Sequence, residues 1–105
     1  MTQAKLAETL TQITEAQLLA LRLGRMKDDD TMDFSQVSMA KRANVAMARD
    51  VARTSREILG ANGITDDYSP MRHMSNLETV YTYEGTHEMH TLILGQKITG
   101  LPAFE

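Results

Sequence analysis

One carboxylate, Glu84, stands at the junction between a β-branched and aromatic run, Val80 to Tyr83, and a segment with helical spacing that follows Gly85. A loop can aim a side chain into a cleft while the helix behind it holds the backbone. A general base must also be partly desolvated and lie close to the proton that it removes. Glu84 is therefore a candidate general base, with Tyr81 and Tyr83 as apolar walls that would desolvate it. The pattern alone favours the alternative, a glutamate on a surface loop.

The same segment carries histidines that could hold a metal ion. Glu84 and His87 match one half of a carboxylate-bridged di-iron motif, Glu-x-x-His, and His90 lies one helical turn after His87. Such a site needs a second Glu-x-x-His pair, and the sequence has none, because His73 and Glu78 lack that spacing. We predict no metal site and interpret the histidines as hydrogen-bonding residues on the flank of a helix.

Two further features could face an anion. The turn over residues 60–63, Gly-Ala-Asn-Gly, could let backbone amides approach a phosphate. It lacks the preceding strand and the full pattern of a dinucleotide-binding turn, so we interpret it as the end of a helix. Arg49, Arg53 and Arg56 have the spacing of one helical face. They could form an anion-facing row, but we interpret them as a solvated or salt-bridged face.

The composition excludes several classes of function. The chain has 105 residues, a formal net charge of −3 and no cysteine. Without cysteine there are no disulfides, thiolate metal sites or thiol catalysis, and no basic patch interleaved with aromatic residues suggests nucleic acid. No apolar run approaches the roughly 20 residues that cross a bilayer, and the N-terminus lacks the apolar core of a signal peptide. We expect no membrane partner, and a location in the cytosol, or in an organelle matrix if a leader has been removed.

Helical periodicity in four segments predicts the elements that position Glu84. The first helix covers about residues 3–26, and the second starts near Asp33 or Ser35, where Asp33 and Gln36 resemble a capping box. The second helix is expected to end at the turn over residues 60–63. The apolar stripe of the first helix, which we expect to face the core, consists of Leu6, Leu10, Ile13, Gln17, Leu21 and Gly24, widened by Ala16, Leu18 and Leu19.

Two shorter helices follow. Ser69 and Pro70 are typical of an N-cap and a first helical position. The fourth helix begins near Thr86, and Gly95 and Gly100 weaken or end it.

The lengths of these helices predict the fold class. Two helices of about seven turns with a short polar connection should lie antiparallel. We therefore expect an all-α, up-and-down helical bundle, with residues 1–105 as part of a single domain. Helices this long need more partners than two short companions, so we expect either oligomerisation or a missing portion of a larger protein.

Three stretches of the chain, residues 53–64, 72–78 and 82–90, keep their order and spacing and resemble the C-terminal helical domain of the acyl-CoA dehydrogenases. The run Tyr83 to His87, followed by Leu92 to Gly95 and Ile98 to Gly100, is most similar to the glutaryl-CoA dehydrogenase branch of that family. The resemblance covers nearly the whole chain.

The resemblance implies a reaction and a role for each matching residue. Glu84 would take the α-proton of an acyl-CoA thioester while the β-hydride passes to FAD, and its backbone amide would polarise the thioester carbonyl. Gly85 and Tyr83 match substrate contacts, and Thr86 matches a flavin contact. In the glutaryl branch, loss of the γ-carboxylate as CO₂ then gives crotonyl-CoA. The segment Glu57, Ile58, Leu59, Gly60 and Ala61 matches residues that contact the FAD bound to a neighbouring subunit. Phe104 matches a further FAD contact near the C-terminus.

The resemblance also implies partners. It indicates an acyl-CoA substrate, an electron-transfer flavoprotein as acceptor, a homotetramer, and a location in the bacterial cytoplasm or the mitochondrial matrix. Ala61 departs from the family by replacing a second glycine. The N-terminal helical domain and the middle β-domain, which hold most of the FAD and acyl-CoA sites in the family, have no counterpart in this sequence. We expect the chain to hold no FAD alone, and a non-catalytic helical module that self-associates is the alternative function.

Overall fold

The computed structural model describes residues 1–103. Over this range it contains α1 (Thr2–Asp28), α2 (Phe34–Ile58), a short 3₁₀ helix (Gly60–Ile64), α3 (Pro70–Thr82) and α4 (His87–Thr99), and no β-strand. The prediction of an all-α bundle is therefore confirmed. Within these residues no helix has the length and apolar character needed to cross a membrane.

The helix α2 lies at the centre, and α1 runs antiparallel to it. Lys5 near the start of α1 pairs with Glu57 near the end of α2, with Nζ and Oε2 3.4 Å apart. Further along, Gln12 to Leu19 border the same groove as Ala43 to Asp50. The predicted antiparallel pairing of the two long helices is confirmed.

The shorter helices α3 and α4 follow each other along the other side of α2. Arg49 in the C-terminal half of α2 pairs with Glu78 of α3 at 3.1 Å. Arg42 Nε, in the N-terminal half, donates to the hydroxyl of Thr91 in α4 at 2.8 Å. Pro70 at the start of α3 borders the same groove as Ser55, and Lys97 near the end of α4 pairs with Asp33 at the start of α2, with Nζ and Oδ2 3.5 Å apart. Both short helices therefore run antiparallel to α2, and the loop between them, residues 83–86, lies beside the N-terminal half of α2.

The helices α2 and α3 begin at the residues that their capping signals predict. Asp33 forms the predicted capping box, because its amide donates to Gln36 Oε1 at 2.8 Å and its carboxylate accepts from the amide of Ser35 at 3.2 Å. The hydroxyl and then the amide of Ser35 lower the pKa of Asp33, and Lys97 adds to the effect. Ser69 is the N-cap of α3 and Pro70 its first residue, as predicted, although Ser69 has helical backbone angles and makes no side-chain hydrogen bond to the start of the helix.

Helix ends follow the glycines. Gly100 ends α4 in the left-handed conformation, with φ of 75°, whereas Gly95 lies inside the unbroken helix. The predicted end of α2 is confirmed at Gly60, with φ of 62°, but the chain then winds into a 3₁₀ turn that the sequence did not indicate. A Cβ on Gly63 would lie 2.3 Å from the carbonyl oxygen of Arg56, so this turn needs a glycine where it folds back on α2.

The predicted core stripe of α1 is confirmed only in part. Ile13, Ala16 and Leu19 are half-buried, but Leu6, Leu10 and Leu21 are 54%, 67% and 52% exposed. Helix α1 packs on α2 through a neighbouring face that contains small and polar side chains as well as apolar ones. Its small side chains, such as Ala16, let the two helices approach each other. The half-buried residues of that face are Lys5, Thr9, Gln12, Ile13, Ala16, Leu19, Leu23 and Met26.

Candidate functional site

The loop between α3 and α4 presents Glu84 in an unusual backbone conformation. Helix α3 ends at Thr82, Tyr83 is extended, and Glu84 then takes φ of 57°, followed by Gly85 with φ of 88°. A left-handed conformation in a residue other than glycine costs about 1–3 kcal/mol and persists only where the surroundings hold it. The contacts of this loop therefore decide how Glu84 is presented.

The first of these contacts comes from Lys41 of α2. Its ammonium donates to the carbonyl oxygens of Tyr83 and Gly85 and lies 3.3 Å from that of Glu84. The three carbonyls follow the C-terminal end of α3, where a positive charge is favourable. Lys41 is half-buried and its ammonium is 6.0 Å from the centre of the Tyr83 ring.

The second contact comes from His90 of α4, which is 7% exposed. Its Nε2 lies 3.3 Å from the carbonyl oxygen of Glu84 and donates to it in the tautomer that carries hydrogen there. A Cβ on Gly85 would lie 2.7 Å from the same nitrogen. Glycine at position 85 is thus required both by its φ and by the closeness of the imidazole.

Glu84 itself is exposed, and its backbone amide makes no hydrogen bond within residues 1–103. The backbone of this residue is therefore held through its carbonyl, while the carboxylate and the N–H stay available to a ligand. The start of α4 follows directly, because the hydroxyl of Thr86 accepts from the amide of Met89 at 3.0 Å. This confirms the predicted beginning of the helix near Thr86.

The expected aromatic walls around Glu84 are not formed by Tyr81. The ring of Tyr81 stacks on His87, with centroids 4.8 Å apart, and the guanidinium of Arg49 lies 3.9 Å from its centre. Both of its faces are thus used in packing α3 against α2 and α4, which corrects the expectation. Tyr83 is 53% exposed and lies next to Glu84 in the chain.

The other candidate cofactor residues lie far from this loop. Glu57 to Ala61 occupy the C-terminal end of α2 and the turn after it, whereas Lys41 marks the position of the loop on the same helix. Sixteen residues of α-helix span about 24 Å. The structure therefore brings Tyr83 to Thr86 together and holds Glu57 to Ala61 apart from them. Phe104 lies outside the described residues.

The arginine row is a salt-bridged face at two of its three positions. Arg49 pairs with Glu78, and Arg56 lies 4.0 Å from Glu57. Arg53 borders an open groove between α1 and α2. Across residues 1–103 the structure brings together no group of three or more histidine, aspartate and glutamate side chains suited to a metal ion.

Sequence reasoning missed Lys41 and assigned His90 no specific contact. A weak signal for Lys41 exists, because it lies three residues after the buried Ser38 and eleven before the buried Ala52, on the inward side of α2. A lysine on the inward side of a helix needs acceptors close to it. Its acceptors lie more than forty residues away in the chain, so no local pattern names them.

Comparisons with known proteins cover nearly the whole chain. A family model described as "Acyl-CoA dehydrogenase, C-terminal domain" matches residues 1–99. The short-chain specific acyl-CoA dehydrogenase of Megasphaera elsdenii is 29% identical over 91 residues, which are 87% of this chain and 24% of that protein.

Two crystal structures of glutaryl-CoA dehydrogenase from Mycobacterium smegmatis are similar in both fold and sequence. One has a TM-score of 0.95 and 53% identity, and the other, in complex with FADH2, has a TM-score of 0.94 and 48% identity. Each alignment covers 98% of this chain and 27% of the solved one. The chain thus spans about a quarter of the length of these relatives.

Proposed function

Because the chain belongs to the acyl-CoA dehydrogenase family, as a C-terminal helical domain of it, we propose that it is the C-terminal portion of a glutaryl-CoA dehydrogenase. One observation carries this proposal: the match to a glutaryl-CoA dehydrogenase at 53% identity and a TM-score of 0.95. The short-chain specific relative is 29% identical. Residues 1–105 would form one part of the enzyme, and the remainder of its sites would lie in other domains.

In the proposed reaction Glu84 removes the α-proton of the acyl-CoA thioester. Its carboxylate accepts the proton, and its free backbone N–H donates to the thioester carbonyl, where negative charge develops. The N-terminal end of α4 directly follows the loop and adds a favourable positive end of a helix dipole. The exposed carboxylate would be desolvated when substrate and the other domains cover the loop, which makes it a stronger base.

The residues present fit an FAD molecule. Thr86 uses its oxygen to accept from Met89, which leaves its own O–H free to donate, and no atom stands within 4 Å of a Cβ built on Gly60. Because these two places lie about 24 Å apart along α2, Thr86 of one copy and Glu57 to Ala61 of a neighbouring copy would contact one cofactor, with Phe104 as a further contact. FAD, when bound, supplies the acceptor for the β-hydride.

The finer parts of the proposal concern the product and the partners. After dehydrogenation, loss of the γ-carboxylate as CO₂ would give crotonyl-CoA. An electron-transfer flavoprotein would reoxidise the enzyme, which would be a homotetramer of the bacterial cytoplasm or the mitochondrial matrix.

A chimera tests the proposal directly. This chain would replace the matching region of the Mycobacterium smegmatis glutaryl-CoA dehydrogenase, and the purified chimera would be assayed for bound flavin and for conversion of glutaryl-CoA to crotonyl-CoA. We expect both. A folded chimera that binds flavin but oxidises a short unbranched acyl-CoA in preference to glutaryl-CoA would contradict the substrate assignment.

A non-catalytic module that self-associates is a second candidate, and the exposed leucines of α1 favour it. Leu6, Leu10 and Leu21 form an apolar face that the rest of the described chain leaves uncovered. The chimera separates the two candidates. A flavin band near equimolar amounts together with turnover supports an enzyme portion, whereas a folded chimera without flavin or turnover, and an isolated chain that forms oligomers, support the module.

A further inference from the structure

We infer that Lys41 is a positioning residue for Glu84, one that fixes the loop backbone without contacting substrate. The inference rests on the proposed function, because it assumes that Glu84 is the base. It adds a residue that neither the sequence motif nor the comparisons point to.

The geometry of the loop matches the donors of an ammonium group. A lysine ammonium has three N–H donors and no acceptor, and three successive carbonyls, those of Tyr83, Glu84 and Gly85, surround Lys41 Nζ. Successive carbonyls of an extended chain point to opposite sides. The left-handed angles at Glu84 and Gly85 turn them toward one cation instead.

Removal of the ammonium would leave the loop backbone with fewer hydrogen bonds to the rest of the chain. The carbonyls of Tyr83 and Gly85 would each lose their donor, and the carbonyl of Glu84 would keep only the contact from His90 at 3.3 Å. Three carbonyl dipoles directed at one point repel each other without a positive charge between them. We therefore expect the loop to relax away from its left-handed conformation.

A relaxed loop would affect proton transfer more than binding. The carboxylate and the N–H of Glu84 serve the same thioester, so a rotation of its backbone moves both groups at once. A misplacement of about 1 Å can cost a catalysed reaction about 100-fold. Binding of the large CoA portion depends on other contacts and should change little.

The test compares three lysine variants in the chimera described above. Lys41→Met removes the charge and keeps the length of the side chain, Lys41→Arg keeps the charge, and Lys27→Met removes an exposed lysine at the end of α1 as a control. We expect Lys41→Met to lower kcat by about 10- to 100-fold, with KM changed less than about 3-fold and a larger kinetic isotope effect from α-deuterated substrate. Lys41→Arg should restore part of kcat, and Lys27→Met should match the parent chimera.

The outcomes separate this inference from the proposed function. If Glu84→Gln abolishes turnover while Lys41→Met keeps kcat within twofold of the parent, the positioning role is wrong and the proposed function stands. A folded parent chimera that lacks turnover contradicts the proposed function itself. Nitrogen-15 relaxation on the 105-residue chain then decides whether Lys41 holds the loop. Order parameters of Glu84 and Gly85 should fall in Lys41→Met and not in Lys27→Met, and equal values in both would overturn the inference.

Discussion

Gly85 and His90 lie in such close contact that any side chain at position 85 would collide with the imidazole. A Cβ there would be 2.7 Å from Nε2, and the φ of 88° also disfavours an L-residue. Two neighbouring segments, the loop and the first turn of α4, thereby fix each other. The loop that carries Glu84 is thus held by packing within the chain.

The substitution Gly85→Ala should destabilise the fold. Strain at a left-handed position together with a close contact costs about 1–3 kcal/mol, which would lower the midpoint of thermal unfolding. Gly95→Ala is the matched control, because Gly95 lies inside α4 and no atom stands within 4 Å of the position that a Cβ would take there. That change should raise the midpoint, since alanine is favoured over glycine in a helix by about 1 kcal/mol. Equal midpoints for both variants would contradict the contact with His90.

The substitution Glu84→Gln in the chimera should abolish removal of the α-proton and leave FAD bound. The amide keeps the shape of the side chain and cannot accept the proton at neutral pH. Exchange of the α-hydrogen with deuterated water measures this step directly, and flavin absorbance measures retention of the cofactor. Glu88→Gln, in the first turn of α4 and exposed, is the control and should keep turnover. Normal turnover in Glu84→Gln would show that another group is the base.

Asp33 should make stability depend on pH in a defined direction. Its pKa in the folded chain is lowered from 3.8, chiefly by the hydroxyl and amide of Ser35. A carboxylate whose pKa is lowered by folding stabilises the fold above its unfolded pKa and loses that effect as the pH falls through its folded pKa. The midpoint difference between the parent chain and Asp33→Asn should therefore be largest above pH 3.8 and shrink below it. Ser35→Ala, which removes the hydroxyl that lowers the pKa of Asp33 most, should reduce this difference.

The exposed leucines of α1 should matter for association rather than for the fold of one chain. Leu6→Gln combined with Leu10→Gln should lower the sedimentation coefficient at a fixed concentration if these side chains bind another copy or another domain, while leaving helix content unchanged. Leu19→Ala, on the half-buried side of α1, should instead destabilise the chain by about 2 kcal/mol. A double variant that unfolds as readily as Leu19→Ala would show that Leu6 and Leu10 belong to the core of a single chain.

The elements of this fold were predictable because their signals are local. The capping box at Asp33, the proline at position 70, the hydroxyl of Thr86 and the glycine at position 100 each act on backbone groups within a few residues. Such signals need no knowledge of the rest of the molecule, and the helix limits that they predict agree with the structure.

The faces of the helices were less predictable, because burial depends on what lies opposite. Helix α1 has leucines on more than one side, so its periodicity cannot tell which side meets α2 and which is left for another partner. The contact of Lys41 with the loop that carries Glu84 was not predictable from the sequence for a similar reason. Lys41 and its carbonyl acceptors are separated by 42 to 44 residues and meet only after α2, α3 and α4 have packed.

The interruption between α3 and α4 has a consequence for insertions and deletions. The loop between Thr82 and His87 is not helical, and its three carbonyls meet Lys41 while Gly85 lies against His90. Adding or removing one residue there would move these groups out of register with α2 or displace α4. The stack of Tyr81 on His87, the contacts of Lys41 with the loop and the ion pair between Asp33 and Lys97 could not all survive such a change. The number of residues in this loop is therefore constrained by contacts at both of its ends and along α4.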